Sequence, residues 1–150
     1  MDSLVARSAT RVQGTLVASL LPDRDASLRL SAVPATQLRA EMEFNYVLGE
    51  VAMQRLRALC VEHGEPDLIP HGSQRTLRGL MNGKIDLVFQ HDGRFHVLDY
   101  KSNYLGERLS DYAPVALREA MDRHHYRFQA LLYIVAVDRY LHQRIPGYRR

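Results

Sequence analysis

The chain has 150 residues, of which 46% are hydrophobic and 25% charged, as is usual for a globular domain. Its formal net charge of +3 permits a polyanionic partner without by itself indicating one. The single cysteine, Cys60, excludes an internal disulfide, and no apolar run approaches the roughly 18 residues that a membrane span needs. We therefore expect a cytoplasmic protein with no membrane partner and a buried thiol.

The first half of the chain predicts a helix, a strand and a second helix. A loose apolar stripe over residues 3–21 favours a helix, and Pro22-Asp23 would end it. After a connector at 26–36, residues 38–46 are typical of a strand. Residues 49–63 predict a helix, with Gly64 in the C-cap position.

Two alternating segments then predict a β-hairpin, after a loop over residues 66–74. Residues 75–90 and 94–102 alternate between apolar and polar side chains and flank Asp92-Gly93. This dipeptide is among the strongest short-range signals for a two-residue hairpin turn. Such a turn pairs His91 with Arg94 and so sets the register of both strands.

The predicted register brings three chemically important residues to one face. Asp86 lies directly opposite Asp99, and Lys101 lies two residues further along the same face. Opposed residues have Cβ atoms about 4.5–5.5 Å apart, where like charges repel. A hard cation such as Mg2+, commonly held by one or two carboxylates, would remove this repulsion. With a lysine beside it, the pattern indicates a site that hydrolyses phosphodiesters.

The same residues have a simpler interpretation. Asp86 and Asp99 could be two solvated carboxylates on an exposed hairpin, and Lys101 could merely pair with Asp99. The apolar residues Val88 and Val97 share the carboxylate face, which argues that this face is at least half buried. Buried acids without partners cost several kcal/mol, so burial favours the metal site.

The last part of the chain predicts a loop and one long helix. The loop covers residues 104–113, and the helical pattern runs over 114–144, with Pro114 at its start. His124-His125 resembles a metal-binding pair, but adjacent residues on a helix face different directions, so a solvated face is the better interpretation. The expected core stripe consists of Leu117, Met121, Phe128, Leu131, Leu132 and Val135.

Four segments resemble a known nuclease family. They are Glu-Met-Glu-Phe at 41–44, Gly-Lys-Ile-Asp-Leu-Val-Phe at 83–89, Val-Leu-Asp-Tyr-Lys-Ser-Asn-Tyr-Leu-Gly at 97–106 and Tyr-Arg-Phe-Gln-Ala-Leu-Leu-Tyr at 126–133. In order and spacing they are similar to the nuclease domain of RecB, the beta subunit of exonuclease V, within the PD-(D/E)xK nuclease superfamily. The last segment resembles the helix that carries the family's glutamine-x-x-x-tyrosine motif.

The resemblance implies an α/β fold with a restriction-endonuclease-like core. A mixed sheet with a catalytic antiparallel hairpin would be flanked by helices, and the core would be truncated at both ends relative to the family. We expect a single partial nuclease domain over 1–150, with an N-terminal helix and connector at 1–37 and the nuclease core at 38–150.

The resemblance also implies a role for each matching residue and for the cofactor. The metal ligands would be Asp86, Asp99 and the carbonyl of Tyr100, the catalytic lysine would be Lys101, and Gln129 and Tyr133 would position Lys101 or the DNA strand. The implied reaction is Mg2+-dependent hydrolysis of DNA, with Mn2+ as a substitute, by an exodeoxyribonuclease in double-strand-break processing and recombination. RecC-like and RecD-like subunits are the implied partners. No Walker-type loop occurs, so we expect no ATP site.

One departure from the family leaves two alternatives open. RecB-type nucleases take a further metal ligand from a histidine upstream of the first core strand, whereas none of the seven histidines here precedes Glu41. The chain could therefore be a catalytically inactive RecB-like fragment that binds DNA or a partner subunit. A third possibility is a small metal-binding domain acting on another phosphoester.

Overall fold

Seven main elements make up the computed structural model, which describes residues 2–21, 24–69 and 76–149. The elements are α1 (Asp2–Val17), β1 (Leu38–Ala52), α2 (Met53–Glu62), β2 (Thr76–His91), β3 (Arg94–Leu98), α3 (Pro114–Arg123) and α4 (Tyr126–Arg144). The strands form a three-stranded antiparallel sheet in the order β1-β2-β3. The predicted α/β fold class is confirmed. No helix in the described ranges is long and apolar enough to cross a membrane.

The chain forms two compact units. The first combines Met1–Ala40 with Leu87–His96, and the second combines Glu41–Asp86 with Val97–Arg150. The interpretation of the whole chain as a single partial nuclease domain stays a prediction. The first helix predicted over 3–21 is confirmed only as far as Val17, so its predicted end at Pro22-Asp23 is wrong, and Leu21 instead forms an isolated β-bridge with Asp25. Positions 70–74 of the loop predicted over 66–74 lie outside the described residues.

The first unit contains the hairpin turn, and this prediction is confirmed. Asp92 and Gly93 both have positive φ, at 47° and 71°, as the two central residues of a type I′ turn require. Glycine adopts this conformation without cost, and aspartate tolerates it better than most residues. β3 therefore begins at Arg94, as the sequence predicts, and β2 ends at His91, one residue later than predicted.

Asp25 provides a polar anchor within the first unit. Its carboxylate accepts hydrogen bonds from the Ser27 backbone N–H at 3.0 Å and the Ser27 hydroxyl at 2.6 Å, and it lies 3.0 Å from Nε2 of His91. These contacts, led by that from the Ser27 hydroxyl, lower the pKa of Asp25 from 3.8 to about 2. Leu28 and Leu30, which follow in the chain, are buried. The anchor thus fixes the connector to the hairpin tip.

In the second unit, β1 is longer and α2 is shorter than predicted. β1 continues to Ala52 and α2 begins at Met53, so the predicted boundary at 46–49 is wrong. Alternate residues of β1 remain partly buried as far as Leu48, so tertiary packing extends the strand past its strongest sequence signal.

The end of α2 follows the sequence prediction. The N–H of Gly64 donates to the Val61 carbonyl at 3.0 Å, and that of Glu65 donates to the Cys60 carbonyl at 2.8 Å. Gly64 has φ 77°, so this is a Schellman motif with glycine at the left-handed position. Cys60 is buried, as expected, in a core cluster with Met53 and Ile69.

The single helix predicted over 114–144 is wrong, because two helices occupy this range. α3 ends at Arg123, and His125 adopts the left-handed conformation with φ 55° before α4 begins at Tyr126. The break changes the helical phase, so the predicted stripe is not continuous. Leu117 and Met121 are exposed, and the buried residues of the two helices are instead Ala120, Ala136, Val137, Asp138 and Leu141.

We predict that Asp25 makes the stability of the protein pH-dependent in acid. Since the folded pKa lies below the unfolded value, the unfolded chain binds more protons, and the stabilisation is present above about pH 4 and lost as pH falls towards about 2. The difference in free energy of unfolding between wild type and Asp25→Asn should therefore shrink between about pH 5 and about pH 2. Urea unfolding at a series of pH values measures it.

Asp92→Asn in the turn of the same unit is the matched control for removing one carboxylate. A difference between wild type and Asp25→Asn that stays constant over this pH range would contradict the assigned role of Asp25.

Candidate active site

All six residues predicted for the site lie in the second unit, on three elements. Asp86 is near the middle of β2, while Asp99, Tyr100 and Lys101 are in the loop directly after β3. Gln129 and Tyr133 lie one turn apart on α4, so they share one face of that helix. Hydrogen bonds, an ion pair and electrostatic interactions connect these residues.

The segment containing Asp99 leaves the strand earlier than predicted. β3 ends at Leu98, so the expected strand over 94–102 is wrong in its last four residues. The reason is a side-chain hydrogen bond: the backbone N–H of Tyr100 donates to Oδ2 of Asp86 at 2.8 Å. This contact joins Asp86 to the loop and replaces the continuous ladder that would have placed Asp86 directly opposite Asp99.

Lys101 is held by three neighbours. Its Nζ forms an ion pair with Asp99 Oδ2, donates to Oε1 of Gln129 at 2.7 Å and lies 4.1 Å from the ring centroid of Tyr126. The side chains of Lys101 and Asp99 are 32% and 19% exposed, so this ion pair is screened less than one on the open surface. The ammonium group is therefore fixed in position next to a carboxylate.

Gln129 connects Lys101 to Tyr133 through two hydrogen bonds. An ammonium can only donate hydrogen bonds, so the oxygen of the Gln129 amide must face Lys101. Its Nε2 then faces away and donates to the Tyr133 hydroxyl at 2.7 Å. An ion pair and two hydrogen bonds thus connect Asp99, Lys101, Gln129 and Tyr133 in that order.

The pKa of Tyr133 is raised above its ordinary value. Burial of the phenol is the main cause, and the nearby Asp99 carboxylate is the second, because both disfavour a phenolate. The Tyr133 ring also packs edge-on against Phe44, with centroids 5.9 Å apart. A neutral phenol in this position supports the Gln129 amide without adding charge to the site.

Sequence reasoning missed two residues that help to hold the site. Tyr126 places its ring below Lys101, and its hydroxyl donates to Oδ1 of Asn103 at 2.9 Å. One signal could have found Tyr126, which lies three residues before Gln129 and so on the same side of α4. Asn103 sits in a loop, where no periodicity indicates which side chains turn inward.

The two glutamates of β1 contact a lysine of the neighbouring strand. Lys84 Nζ lies 3.4 Å from Glu41 Oε2 and 3.9 Å from Glu43 Oε1, and all three side chains are substantially exposed. Exposed ion pairs of this kind contribute about 0–1 kcal/mol each. These contacts are compatible with a structural role for both glutamates.

The ionisable groups of the site restrict the kind of metal it can accept. In the described part of the chain, no three His, Cys, Asp or Glu side chains cluster as a metal centre would require. Asp86 and Asp99 instead offer two carboxylates, and each has about four acceptor positions, so the hydrogen bond from Tyr100 does not use up Asp86. Two hard oxygen donors with an incomplete shell fit Mg2+, which completes its shell with water and phosphate, and do not fit structural zinc.

Comparison with known protein families shows to which superfamily the chain belongs. The sequence profile of the PD-(D/E)XK nuclease superfamily matches residues 6–147, so nearly the entire chain is covered. The chain belongs to this superfamily, whose members generally use divalent metal ions.

Within this superfamily, the chain is similar to RecB subunits of the RecBCD enzyme. The chain is 37% identical to the RecBCD enzyme subunit RecB of Escherichia coli (strain K12) over 129 residues, covering 85% of this chain and 11% of the relative. It is 31% identical over 160 residues to RecB of Mycobacterium tuberculosis (strain ATCC 25618 / H37Rv), covering 89% and 15%. RecB of Haemophilus influenzae is 46% identical over 72 residues, covering 48% and 6%. The predicted resemblance to the RecB nuclease domain is confirmed, and the chain spans only about a tenth of these relatives.

We predict that the Tyr133 phenol titrates above its ordinary pKa and that Asp99 contributes to this shift. In Asp99→Asn the carboxylate no longer repels the phenolate, so the pKa of Tyr133 should fall, while burial keeps it above the ordinary value. Carbon NMR of ring-labelled tyrosine over an alkaline titration measures both values. The Tyr133→Phe spectrum identifies the resonance, and an ordinary pKa for Tyr133 in wild type would contradict the geometry.

Proposed function

We propose that the chain is a Mg2+-dependent DNA nuclease domain of the RecB type. In this proposal it hydrolyses DNA phosphodiesters as an exodeoxyribonuclease during the processing of double-strand-break ends and recombination. The observation that carries the proposal is the placement of Lys101 between Asp99 and Gln129, in the loop that also joins Tyr100 to Asp86. Membership of a nuclease superfamily and similarity to RecB subunits support it.

Asp86, Asp99 and the Tyr100 carbonyl are the residues proposed to hold the metal ion, with Mn2+ as an alternative to Mg2+. When bound, the ion would polarise the phosphate and make its bound water more acidic. The backbone N–H of Tyr100 donates a hydrogen bond to Asp86, so the backbone of the residue that carries the proposed carbonyl ligand is held in place. Preorganised ligands of this kind reduce the cost of assembling the site.

Lys101 is the proposed catalytic lysine. Its ammonium has three N–H donors, and Asp99 and Gln129 each engage one, so a third can bind a phosphate oxygen or orient the attacking water. A fixed positive charge there stabilises the negative charge that develops in the transition state. Gln129 and Tyr133 are positioning residues, because they act on Lys101 and on each other.

The partners of the domain are also part of the proposal. The substrate is DNA, which the net charge of +3 does not oppose. The relatives are named as subunits of the RecBCD enzyme, so we propose that this domain works in the cytoplasm beside RecC-like and RecD-like subunits. ATP-driven functions would belong to other parts of such an assembly.

A second candidate function is a catalytically inactive domain that binds DNA or a partner subunit. The ion pair between Lys101 and Asp99 favours it to some degree, since the lysine already neutralises one of the two carboxylates. In this case the charged residues would be a structural network, and divalent ions would not bind strongly.

The roles of Asp99 and Lys101 can be separated by substitution. Lys101→Ala should abolish cleavage but leave Mn2+ affinity equal or slightly higher, because Asp99 loses a competing cation. Asp99→Ala should lose cleavage and weaken Mn2+ binding by about tenfold or more, the order of magnitude for damage to a metal site. Plasmid nicking measures cleavage, and calorimetric titration measures Mn2+ affinity.

Lys84→Ala is the matched control, since it removes one lysine of the same unit that contacts only β1 glutamates among the described ion pairs. It should keep both activities. Equal Mn2+ affinity in wild type and Asp99→Ala would refute the metal assignment, while weak Mn2+ binding together with no cleavage in wild type would favour the inactive domain.

A further inference from the structure

Tyr126 contacts the Lys101 ammonium through the face of its ring rather than through an oxygen atom. Nζ of Lys101 lies over this ring, 4.1 Å from its centroid. A cation over the face of an aromatic ring, within about 6 Å of the centroid, is attracted by the negative charge density of the π system. Asp99 and Gln129 instead hold the same ammonium by their side-chain oxygen atoms.

The Tyr126 ring is itself fixed at two places. Its hydroxyl donates to Oδ1 of Asn103 at 2.9 Å, and its ring stacks on that of His124, with centroids 5.3 Å apart and planes inclined by 22°. Asn103 belongs to the loop after β3, two residues beyond Lys101, whereas His124 directly follows α3. The ring is therefore attached both to the loop that carries Lys101 and to the connection between the two last helices.

The break between α3 and α4 determines where this ring stands in its helix. α4 begins at Tyr126, after His125 in the left-handed conformation. Gln129 and Tyr133 follow Tyr126 by three and seven residues, so the three side chains lie on one side of α4. The first turns of α4 thus supply both a ring face and an amide oxygen to one ammonium group.

An aromatic face can hold a cation without neutralising it. Asp99 cancels the charge of Lys101 when the two form an ion pair, and in the proposed nuclease Lys101 would share this carboxylate with a metal ion. The ring face carries no net charge, and Mg2+ prefers oxygen ligands, so the attraction between Tyr126 and Lys101 does not compete with metal binding. A lysine retained in this way keeps the positive charge that electrostatic catalysis requires.

We propose that Tyr126 is a positioning residue, whose ring face keeps the charged ammonium of Lys101 in the site and whose hydroxyl fastens the ring to the loop. This inference rests on the proposed nuclease function and adds one residue to its machinery. The ring face meets Lys101 and the hydroxyl meets Asn103, so the two contributions can be removed separately. Tyr126→Phe removes the hydroxyl, and Tyr126→Leu removes both.

NMR of labelled lysine tests where the ammonium lies in the metal-free protein. The chain has only two lysines, Lys84 and Lys101, so two sets of side-chain signals arise and Lys101→Ala assigns them. The ring current of an aromatic side chain shifts protons over its face upfield, so the Hε resonance of Lys101 should lie upfield of that of Lys84. This upfield shift should persist in Tyr126→Phe and disappear in Tyr126→Leu.

Fluorination separates the electrostatic attraction from the shape of the ring. Position 126 is occupied in turn by phenylalanine and by its mono-, di- and trifluorinated forms, because fluorine withdraws charge from the ring face while remaining close to hydrogen in size. The NMR order parameter of the Lys101 Cε methylene group should decrease with each fluorine. Since these rings keep their size, the series does not depend on whether Tyr126→Leu folds.

The same series predicts the rate of DNA cleavage with Mg2+. The value of kcat should fall stepwise by about 2- to 30-fold in total, the range that corresponds to loss of one cation–π interaction. KM should stay within about twofold, because the interaction acts on Lys101 and not on bound substrate. Tyr126→Phe should keep kcat within about threefold of wild type, since only one neutral hydrogen bond is lost.

Tyr140→Leu is the matched control, because the guanidinium carbon of Arg144 lies 4.2 Å from the centroid of the Tyr140 ring on the same helix. Tyr140 follows Tyr126 by fourteen residues, about 21 Å along α4. Removing this second ring beneath a cation should leave both the Hε resonance of Lys101 and kcat unchanged.

Any of four results would overturn the inference. They are a Lys101 Hε resonance without an upfield shift in wild type, an equal effect of Tyr126→Leu and Tyr140→Leu on this resonance, a constant order parameter along the fluorinated series, and a constant kcat along that series. The first three are measured without cleavage and therefore also decide the matter in an inactive protein. The nuclease proposal fails separately, if wild type shows no cleavage that depends on Lys101.

Discussion

The position of the Lys101 ammonium is the constraint on which the rest of the site depends. Asp99 supplies the opposite charge, and Gln129 supplies a hydrogen-bond acceptor at 2.7 Å. Each of these contacts alone would leave a flexible lysine free to rotate, but together they fix the ammonium against two elements of the second unit. A cation held this way needs little reorganisation when negative charge develops beside it, which is the physical basis of electrostatic catalysis.

The contacts of the surrounding residues are consistent with this constraint. α4 must place an amide at Gln129 and a phenol at Tyr133, whose pKa is raised by burial and by the nearby Asp99 carboxylate. The loop after β3 must leave the sheet at Leu98, because Tyr100 N–H is directed to the carboxylate of Asp86. Asp86 therefore lies on a strand of the sheet, whereas Asp99 and Lys101 lie in the loop that follows β3.

Local signals in the sequence predicted those features that depend on local chemistry. The turn at Asp92-Gly93 and the helix end at Gly64 were predictable, since each requires positive φ at a residue that tolerates it. The helix break was not, because a left-handed histidine at position 125 carries no comparable signal in the sequence. Strand periodicity also could not show that β3 ends at Leu98. The backbone N–H of Tyr100 donates to the carboxylate of Asp86, which lies fourteen residues earlier in the chain.

The central claim is that Asp86 and Asp99 share a divalent ion beside Lys101. Anomalous diffraction from a crystal soaked in Mn2+ tests it most directly, because the signal locates the ion without reference to activity. We predict one strong anomalous peak within ligand distance of oxygen atoms from both carboxylates and close to the Tyr100 carbonyl. Full occupancy of Mn2+ elsewhere in the crystal, with no peak between Asp86 and Asp99 and with the Lys101–Asp99 ion pair intact, would contradict it.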